Sequence, residues 1–384
     1  VIKKLKICFI AAENSWHMSI WMKYFVEQGH EVHYIAVPSN IPYKIDFHGV
    51  TIHNLPSNRF NIKVLGGLEG MFERIIALRS IVKQIKPDII NAVDMGNGIY
   101  GALSGVHPFV MTPNGSDVIL APQRSKLAKL KNKFIFKFAD AVTSDSEHCK
   151  KAAIACGAPV NNNYIVQWGV DFEKFNLNVD RTIIRKKYAL GDDPVIFSPR
   201  GFTELYNIDT IIKSISLVLS KKPNAKFLFC YHITEKEKEL KGLASELGVE
   251  ESTIFAGYVQ NEKEMPYYTA TADVCVSIPS SDSSPRAVYE AMACGVPLIL
   301  SDLPWWKGML TPEKNALIVD GKDYTSLANA IIRLLDDEVL RKQMIENNYK
   351  FVSENMDNKK HMEKLESIFK SLCSETSRVF VHER

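Results

Sequence analysis

The stretch Asp282-Ser283-Ser284-Pro285-Arg286, continued by AVYEAMACGVPLILSD over residues 287–302, decides how the rest of this 384-residue chain is read. Two carboxylates, Asp282 and Glu290, stand in it with seven residues between them. Ser284 suits the N-cap of a helix, Pro285 its first position, and Gly295 the residue just past its end. The helix so bounded is short and apolar (Ala287, Val288, Ala291, Met292, Ala293), which places it in a protein interior. Pro297–Ser301 then reads as a buried parallel strand. The helix start offers unpaired N–H groups and the positive end of a dipole, with Arg286 beside them, so it is a ready anion site. Glu290 falls about 1.5 turns into the helix, where a carboxylate among small apolar residues needs partners. Vicinal hydroxyls, such as those of a ribose, would supply them. An arginine paired with Glu290 inside the fold would do so equally, and the residues leave both readings open.

Outward from this stretch, strand-like and helix-like segments alternate in two series. Lys6–Ala11, Glu31–Val37, Ile89–Ala92, Pro108–Thr112 and Ala141–Ser144 read as strands of the first, with helices at Met18–Gln28, Gly70–Ile85 and Lys126–Phe138. Val195–Ser198, Lys226–Cys230 and Asp273–Ser277 are strands of the second, with helices at Asp209–Leu219 and Glu235–Leu247. After Ile331–Leu335 come helices at Glu338–Ser353 and Lys359–Leu372 and no further strand. Such alternation predicts an α/β protein of two parallel sheets, each covered by helices. Ligands of these folds bind at strand C-terminal ends. The expected division is residues 1–175, residues 176–355 and a helical tail at residues 356–384 returning to the first domain, with the linker at Asp171–Asp193.

Length and composition agree with two soluble globular domains, at 46% hydrophobic and 24% charged residues. Seven cysteines without a Cys-x-x-Cys spacing argue against a disulfide framework and a zinc site, and fit a reducing cytosol. The opening VIKKLKICFIAAEN has the basic-then-apolar look of a signal peptide, but its apolar run stops at Glu13 and reads better as a first strand. No apolar run is long enough to cross a bilayer. Charge is uneven: residues 1–175 carry a net +6 and residues 176–384 a net −3, within a formal +3. Much of the excess lies in residues 123–138, QRSKLAKLKNKFIFKF, where Leu127, Leu130, Phe134 and Phe138 recur at helical spacing among lysines and no acid. Such a helix suits an anionic membrane surface, with a core-packed helix and a solvated lysine face as the alternative. Nothing points to nucleic acid.

Taken together, the motifs resemble the retaining, nucleotide-sugar-dependent glycosyltransferases of family four, the group 1 glycosyl transferases, and the likeness covers nearly the whole chain. Asp282 and Glu290 occupy the places of the family's two acids ahead of its EAMACGVPV helix and strand. Gln167-Trp168-Gly169-Val170-Asp171, followed by Phe175, matches the segment closing the N-terminal domain. Asn114-Gly115-Ser116-Asp117 matches a loop that is often His-Gly-x-Asp, and Arg200 matches the arginine after the first strand of the C-terminal domain. Phe255–Val259 resembles the turn that receives the nucleotide base. Gly96 and Gly98 form a G-x-G that does not fit the dinucleotide fingerprint. The resemblance implies the GT-B fold, with two Rossmann-like domains facing a central cleft, acceptor on the N-terminal side and donor on the C-terminal side. It implies that Glu290 holds the ribose hydroxyls and that Asp282 sits at the donor sugar. The Ser283 and Ser284 backbone would approach the diphosphate or sugar, and Arg200 would neutralise the leaving diphosphate. Arg286, Tyr206, Tyr258 and Val259 complete the donor side; Asn114, Asp117, Asn14 and His17 form the acceptor side. The donor implied is a nucleotide sugar, a UDP-sugar first among them, and the acceptor a glycan or lipid-linked molecule of cell-surface polysaccharide such as lipopolysaccharide. The location implied is cytoplasmic, peripheral on the inner face of the membrane. Neither a cofactor nor a metal is implied, and there is no Asp-x-Asp to hold one.

Four departures bear on activity. The first acid is Asp where Glu is usual; Tyr206 stands where a lysine usually follows the arginine; Ala12–His17 replaces a glycine-rich loop; and Asn114 replaces a histidine. Arg286 would restore the lost charge, unless it is an ordinary surface arginine. His17 reads either as an acceptor contact or as packing beside Trp16 and Trp21, Asp117 as a substrate contact or a helix cap, and Trp305 and Trp306 as cleft lining or packing. A catalytically weak or inactive partner protein of the same fold, or a GT-B-like sugar-nucleotide epimerase, is the alternative function.

Overall fold

The computed structural model describes residues 4–39, 45–57, 66–230, 236–259 and 263–382. The chain divides into two units, residues 1–168 with 359–384, and residues 169–358. The first is built on a seven-stranded parallel sheet: β1 (Lys6–Ala12), β2 (Glu31–Val37), β3 (Thr51–Asn54), β4 (Ile89–Val93), β5 (Phe109–Thr112), β6 (Ala141–Ser144) and β7 (Asn163–Ile165), in the order β3-β2-β1-β4-β5-β6-β7. The second has six parallel strands: β8 (Val195–Ser198), β9 (Lys226–Phe229), β10 (Thr253–Phe255), β11 (Val274–Ser277), β12 (Leu298–Ser301) and β13 (Leu317–Val319), in the order β10-β9-β8-β11-β12-β13. In both sheets the order reverses beside the first strand, at β1/β4 and at β8/β11. Crevices for ligands form at such switch points. The central strands are near-continuous apolar runs because both faces are covered by helices; β4 and β11 are buried at every residue.

The architecture of two parallel sheets is the one expected. Four strands, β3, β7, β10 and β13, have no counterpart in the sequence reading, and all four are at a sheet edge with partly exposed residues. Their sequences (TIHN, NYI, TIF, LIV) are too short to announce themselves, and pairing with an already formed neighbour makes them strands. The stretch expected to link the two halves, residues 171–193, packs into the second unit instead, with Phe175, Ile184 and Leu190 in its core. Trp16's side chain and Glu235, both part of the sequence reading, lie outside the described residues.

The helix Asn358–His382 belongs to the first unit from Lys359 onward. Its Met362, Leu365 and Phe369 are wholly buried, and Phe369 stacks on Phe25 at 5.4 Å between ring centroids. Three such side chains each contribute roughly 1.5–3 kcal/mol of burial. Glu366 fixes the register: Tyr24 Oη donates to it at 2.9 Å, and His30 Nε2 lies 2.9 Å away. His30 Nδ1 already accepts the Leu5 N–H at 3.0 Å, so the ring proton sits on Nε2 and is donated to Glu366.

Candidate functional site

The loop after β11 and the helix Arg286–Ala293 carry the two acids. The helix begins one residue later than expected. Pro285 is the N-cap, extended at ψ 102°, and its carbonyl accepts the Val288 N–H at 3.0 Å. Ser284 does not cap the helix, because its hydroxyl lies 3.2 Å from Tyr289 Oη. Gly295 follows the helix at φ +70°, as the sequence predicts; the left-handed backbone suits glycine, and a Cβ would meet Leu177 at 2.8 Å. Val288–Ala293 are buried, which leaves Glu290 inside the unit with only 4% of its side chain exposed.

Glu290 has a protein partner: Arg286 Nε lies 2.8 Å from its Oε1, one helical turn away. The N–H is poorly aligned, so this is an ion pair rather than a hydrogen bond, and Oε1 is left without a hydrogen-bond donor. Burial pushes the Glu290 carboxyl above its ordinary range; Arg286 and Lys174 pull it back, and Asp171 adds to the rise. Arg286, at 9% side-chain exposure, is no surface arginine.

The second pair joins residues far apart in sequence. Arg200 Nη2 donates to Asp282 Oδ2 at 2.5 Å, with side-chain exposures of 10% and 15%. Burial weighs against the Arg200 charge, but Asp282 and the adjacent Tyr206 more than offset it and hold the guanidinium above its ordinary value. Arg200 Nε is buried and has no hydrogen-bond partner. Tyr206, in the 3₁₀ turn Glu204–Tyr206, lays its ring against the guanidinium at 4.3 Å, within cation–π range. The two loops are laced together. Asn207, in the left-handed region at φ +50°, donates from Nδ2 to Ile278 O at 2.8 Å and to Ser280 Oγ at 3.0 Å. The Ser280 N–H donates to Leu205 O at 2.8 Å. Asp282 Oδ1 accepts the Ser283 N–H at 2.9 Å, which sets the carboxylate's orientation. Ser283 and Ser284 are buried, Val259 is buried, and Tyr258 is 37% exposed beside Gly257 at φ +76°.

The second unit therefore brings Arg200, Tyr206, Asp282, Ser283, Ser284, Arg286 and Glu290 onto the β8–β11 switch point, with two cations balanced against two anions. Ser277, at the end of β11, is a buried hydroxyl without a hydrogen-bond partner, and no motif in the chain singles it out.

The residues expected on the acceptor side are in the first unit. Asp117 accepts the Met95 N–H at 2.8 Å and the Asn114 N–H at 3.1 Å, so it ties the turns after β4 and β5 together. Burial, with Asp94 adding to it, pushes its carboxyl up to about 6. Asp94 itself carries no motif that marks it in the sequence; it sits at φ +75° and accepts the Gly96 N–H at 2.5 Å. Asn14 accepts the Ile45 N–H at 3.3 Å. His17 lies 5.0 Å from the Trp168 ring, on which Trp21 stacks at 4.5 Å. Trp305 and Trp306 are core residues of the second unit, and Trp306 Nε1 donates to Ser301 O at 3.0 Å.

The basic helix Lys126–Phe138 packs through Asn132, Ile135 and Phe136, and Asn132 Nδ2 donates to Asp117 O at 2.9 Å. Its Leu127, Leu130 and Phe134 are 77%, 64% and 40% exposed, so these three of the four residues of the predicted apolar stripe face outward with the lysines, while Phe138 packs against the core. Among the described residues no helix is long and apolar enough to cross a membrane, and no group of three His, Cys, Asp or Glu side chains is placed to hold a metal ion.

Against known proteins, the Glycosyl transferases group 1 family model matches residues 180–351 and the Glycosyl transferase 4-like model residues 6–146. N-acetyl-alpha-D-glucosaminyl L-malate synthase of Bacillus anthracis is 22% identical over 360 residues, 90% of this chain and 91% of that protein. The GDP-mannose-dependent alpha-(1-6)-phosphatidylinositol monomannoside mannosyltransferase of Mycolicibacterium smegmatis is 26% identical over 246 residues, 61% of this chain and 62% of that one. Among solved structures, Anabaena HepE in complex with UDP and glucose superposes with TM-score 0.78 at 16% identity, covering 96% of this chain and 100% of that one. Sucrose-phosphate synthase of Thermosynechococcus elongatus gives 0.81 at 17%, covering 96% and 99%.

Proposed function

Because this chain belongs to the group 1 glycosyltransferases and has their GT-B fold, we propose that it moves a sugar, with retention at the anomeric carbon and without a metal, from a nucleotide-diphosphate sugar to a glycan or lipid-linked acceptor of cell-surface glycoconjugate synthesis. The observation that carries this reading is the cluster of two arginines and two carboxylates, Arg200 and Glu290 buried and Arg286 and Asp282 mostly so, on one switch point. Breaking the anomeric bond puts negative charge on the departing diphosphate and positive character on the ring. Fixed cations and N–H groups stabilise the first and a carboxylate the second. In this reading Arg200 and Arg286 take the diphosphate, Glu290 the ribose hydroxyls, and Asp282 the sugar. Tyr258 and Val259 border the base, and Asn14, His17, Asn114 and Asp117 belong to the acceptor side.

A UDP-sugar is the first donor to try, since HepE holds UDP and glucose; a GDP-sugar is the second, given the mannosyltransferase relative. An acceptor carried by lipid fits the outward apolar stripe among the lysines of Lys126–Phe138, which would hold the enzyme at the inner, anionic face of a membrane. Tyr206 in the lysine's place favours one second reading, a slow or inactive partner of the same fold.

The test is a panel of UDP- and GDP-sugars incubated with the protein and lipid-linked or glycan acceptors in excess EDTA, with the product anomer read by NMR. Transfer with the donor's anomeric configuration is expected. Inversion, or activity that vanishes on chelation and returns with Mg²⁺ or Mn²⁺, would overturn the mechanism; binding of nucleotide sugars without turnover would favour the inactive partner.

A further inference from the structure

One of the two arginines of the site, Arg200, is already engaged by groups of the protein itself. Arg200 is held by Asp282 at 2.5 Å and pressed against the Tyr206 ring at 4.3 Å, while its Nε–H, also buried, has no acceptor. A buried N–H left unpaired is costly, and a functional site that a ligand completes is one of the settings in which it persists. A guanidinium presents its donors in a rigid fork, so an oxyanion with two oxygens can engage it in a way that one Asp282 oxygen does not. Asp282 has a second bond of its own, from the Ser283 N–H to Oδ1, so it stays oriented when the arginine leaves Oδ2. Tyr206 belongs to the turn that Asn207 and Ser280 lace to the Asp282 loop, so its backbone is tied to the loop that carries Asp282 while its ring lies on Arg200.

We propose that Asp282 is a built-in competitor for Arg200, which the donor's diphosphate must displace, and that Tyr206 is the positioning residue that keeps the guanidinium in place during the exchange. The inference rests on the donor reading above and deepens it. Displacement releases the Asp282 carboxylate at the moment the donor arrives, so it becomes available to the sugar only in the filled site. The neutral ring of Tyr206 holds Arg200 by stacking, where a second cation would repel it, and adds no positive charge that would strengthen diphosphate binding in the product.

Inorganic pyrophosphate is the probe, because it has neither ribose nor sugar and its binding is read by calorimetry without turnover. Asp282→Asn, nearly isosteric, should tighten pyrophosphate by about tenfold, since it removes the competing charge, while slowing sugar transfer. Tyr206→Ala should weaken pyrophosphate by about three- to tenfold, the range of a partly desolvated cation–π contact, and Tyr206→Phe should restore it. In the wild-type protein, the NMR signal of Arg200 Nε–H should shift on pyrophosphate addition, which checks the exchange without a variant.

If Asp282→Asn leaves pyrophosphate affinity unchanged or lowers it, the pair is a permanent brace and the competitor idea is overturned, although the donor reading stands. If Tyr206→Phe fails like Tyr206→Ala, the positioning role is overturned. If neither pyrophosphate nor any nucleotide sugar binds any of these proteins, the donor reading falls, and the inference with it.

Discussion

Glu290 has two readings, a ligand's ribose contact and a structural partner of Arg286, and a cycle of three variants separates them. Glu290→Gln keeps the shape and removes the charge from a side chain that is 4% exposed. Removing one partner of a buried pair costs about 3–5 kcal/mol, because the other charge stays behind. Arg286 has further contacts, which puts the loss near the lower bound, about 3 kcal/mol. Arg286→Met strands the carboxylate instead. Its pKa is already raised by burial, so it takes up a proton and the loss is again about 3 kcal/mol or less. The double variant removes both charges and should lie within about 1 kcal/mol of the wild type, a coupling of several kcal/mol. Stability is followed by urea denaturation with tryptophan and far-UV signals. Uridine, which lacks phosphates, is titrated by calorimetry, so that only the ribose and base contacts are read. A charge-assisted bond is roughly twice as strong as a neutral one, so both Glu290→Gln and the double variant should lose about 1–2 kcal/mol of uridine affinity. A double variant that regains stability and also binds uridine as the wild type does would refute the ribose assignment. Single variants that each cost less than about 1 kcal/mol would refute the buried-pair reasoning itself.

Vesicle sedimentation tests the outward stripe: Leu127→Ser with Leu130→Ser should abolish binding to anionic vesicles, and each lysine of the helix should contribute about 1 kcal/mol that salt weakens, while equal binding to neutral vesicles would reject an electrostatic surface. Burial, with Asp94 adding to it, raises Asp117 from 3.8 to about 6, so the folded state holds that proton more tightly than the unfolded chain. Its contribution to stability is complete below pH ~4 and lost as pH rises through about 6, at most about 3 kcal/mol by pH 8. Asp94→Asn should reduce that loss and shift the Asp117 carboxyl titration downward by NMR, and an unmoved titration would mean the two acids do not interact. Gly169→Ala should destabilise the second unit by several kcal/mol in chemical denaturation, since φ is +68° and a Cβ would meet the Asn358 backbone at 2.5 Å; a loss below about 1 kcal/mol would show that this close approach relaxes freely.

The two parallel sheets were legible because buried strands such as IINAV and VCVS are apolar at almost every position, and local composition alone reveals that. The spacing of Asp282 and Glu290 on either side of a helix start was legible for the same reason. What the sequence could not display was who neutralises whom. Arg200 and Asp282 lie 82 positions apart, and their meeting depends on Asn207 lacing two loops. Arg286 read equally well as surface or interior, because one helical turn from Glu290 is a matter of sequence but the depth of both is a matter of packing. The helix cap moved by one residue because Tyr289 engages the Ser284 hydroxyl, a tertiary competition that capping preferences do not include. The periodicity of the basic helix left open which face packs inward, and the structure buries Ile135 and Phe136 while Leu127 and Leu130 stay exposed.

The passage of the chain between its two units has a consequence for the order in which they mature. Val170 N–H donates to Met356 O at 2.7 Å and Asn358 N–H to Val170 O at 3.1 Å, so outgoing and returning segments are zipped side by side within the second unit. The first unit's core needs Phe369, Leu365 and Met362, which follow the whole second unit in the chain. On a ribosome, domains ordinarily finish in the order they emerge. Here the unit that starts first cannot close until residues beyond 359 are free, while the contiguous residues 169–358 can fold without waiting. A nascent chain stalled in that interval exposes the unfinished face around Phe9 and Phe25, a window in which chaperone capture is expected and which a circular permutant carrying residues 359–382 ahead of Lys4 would shorten.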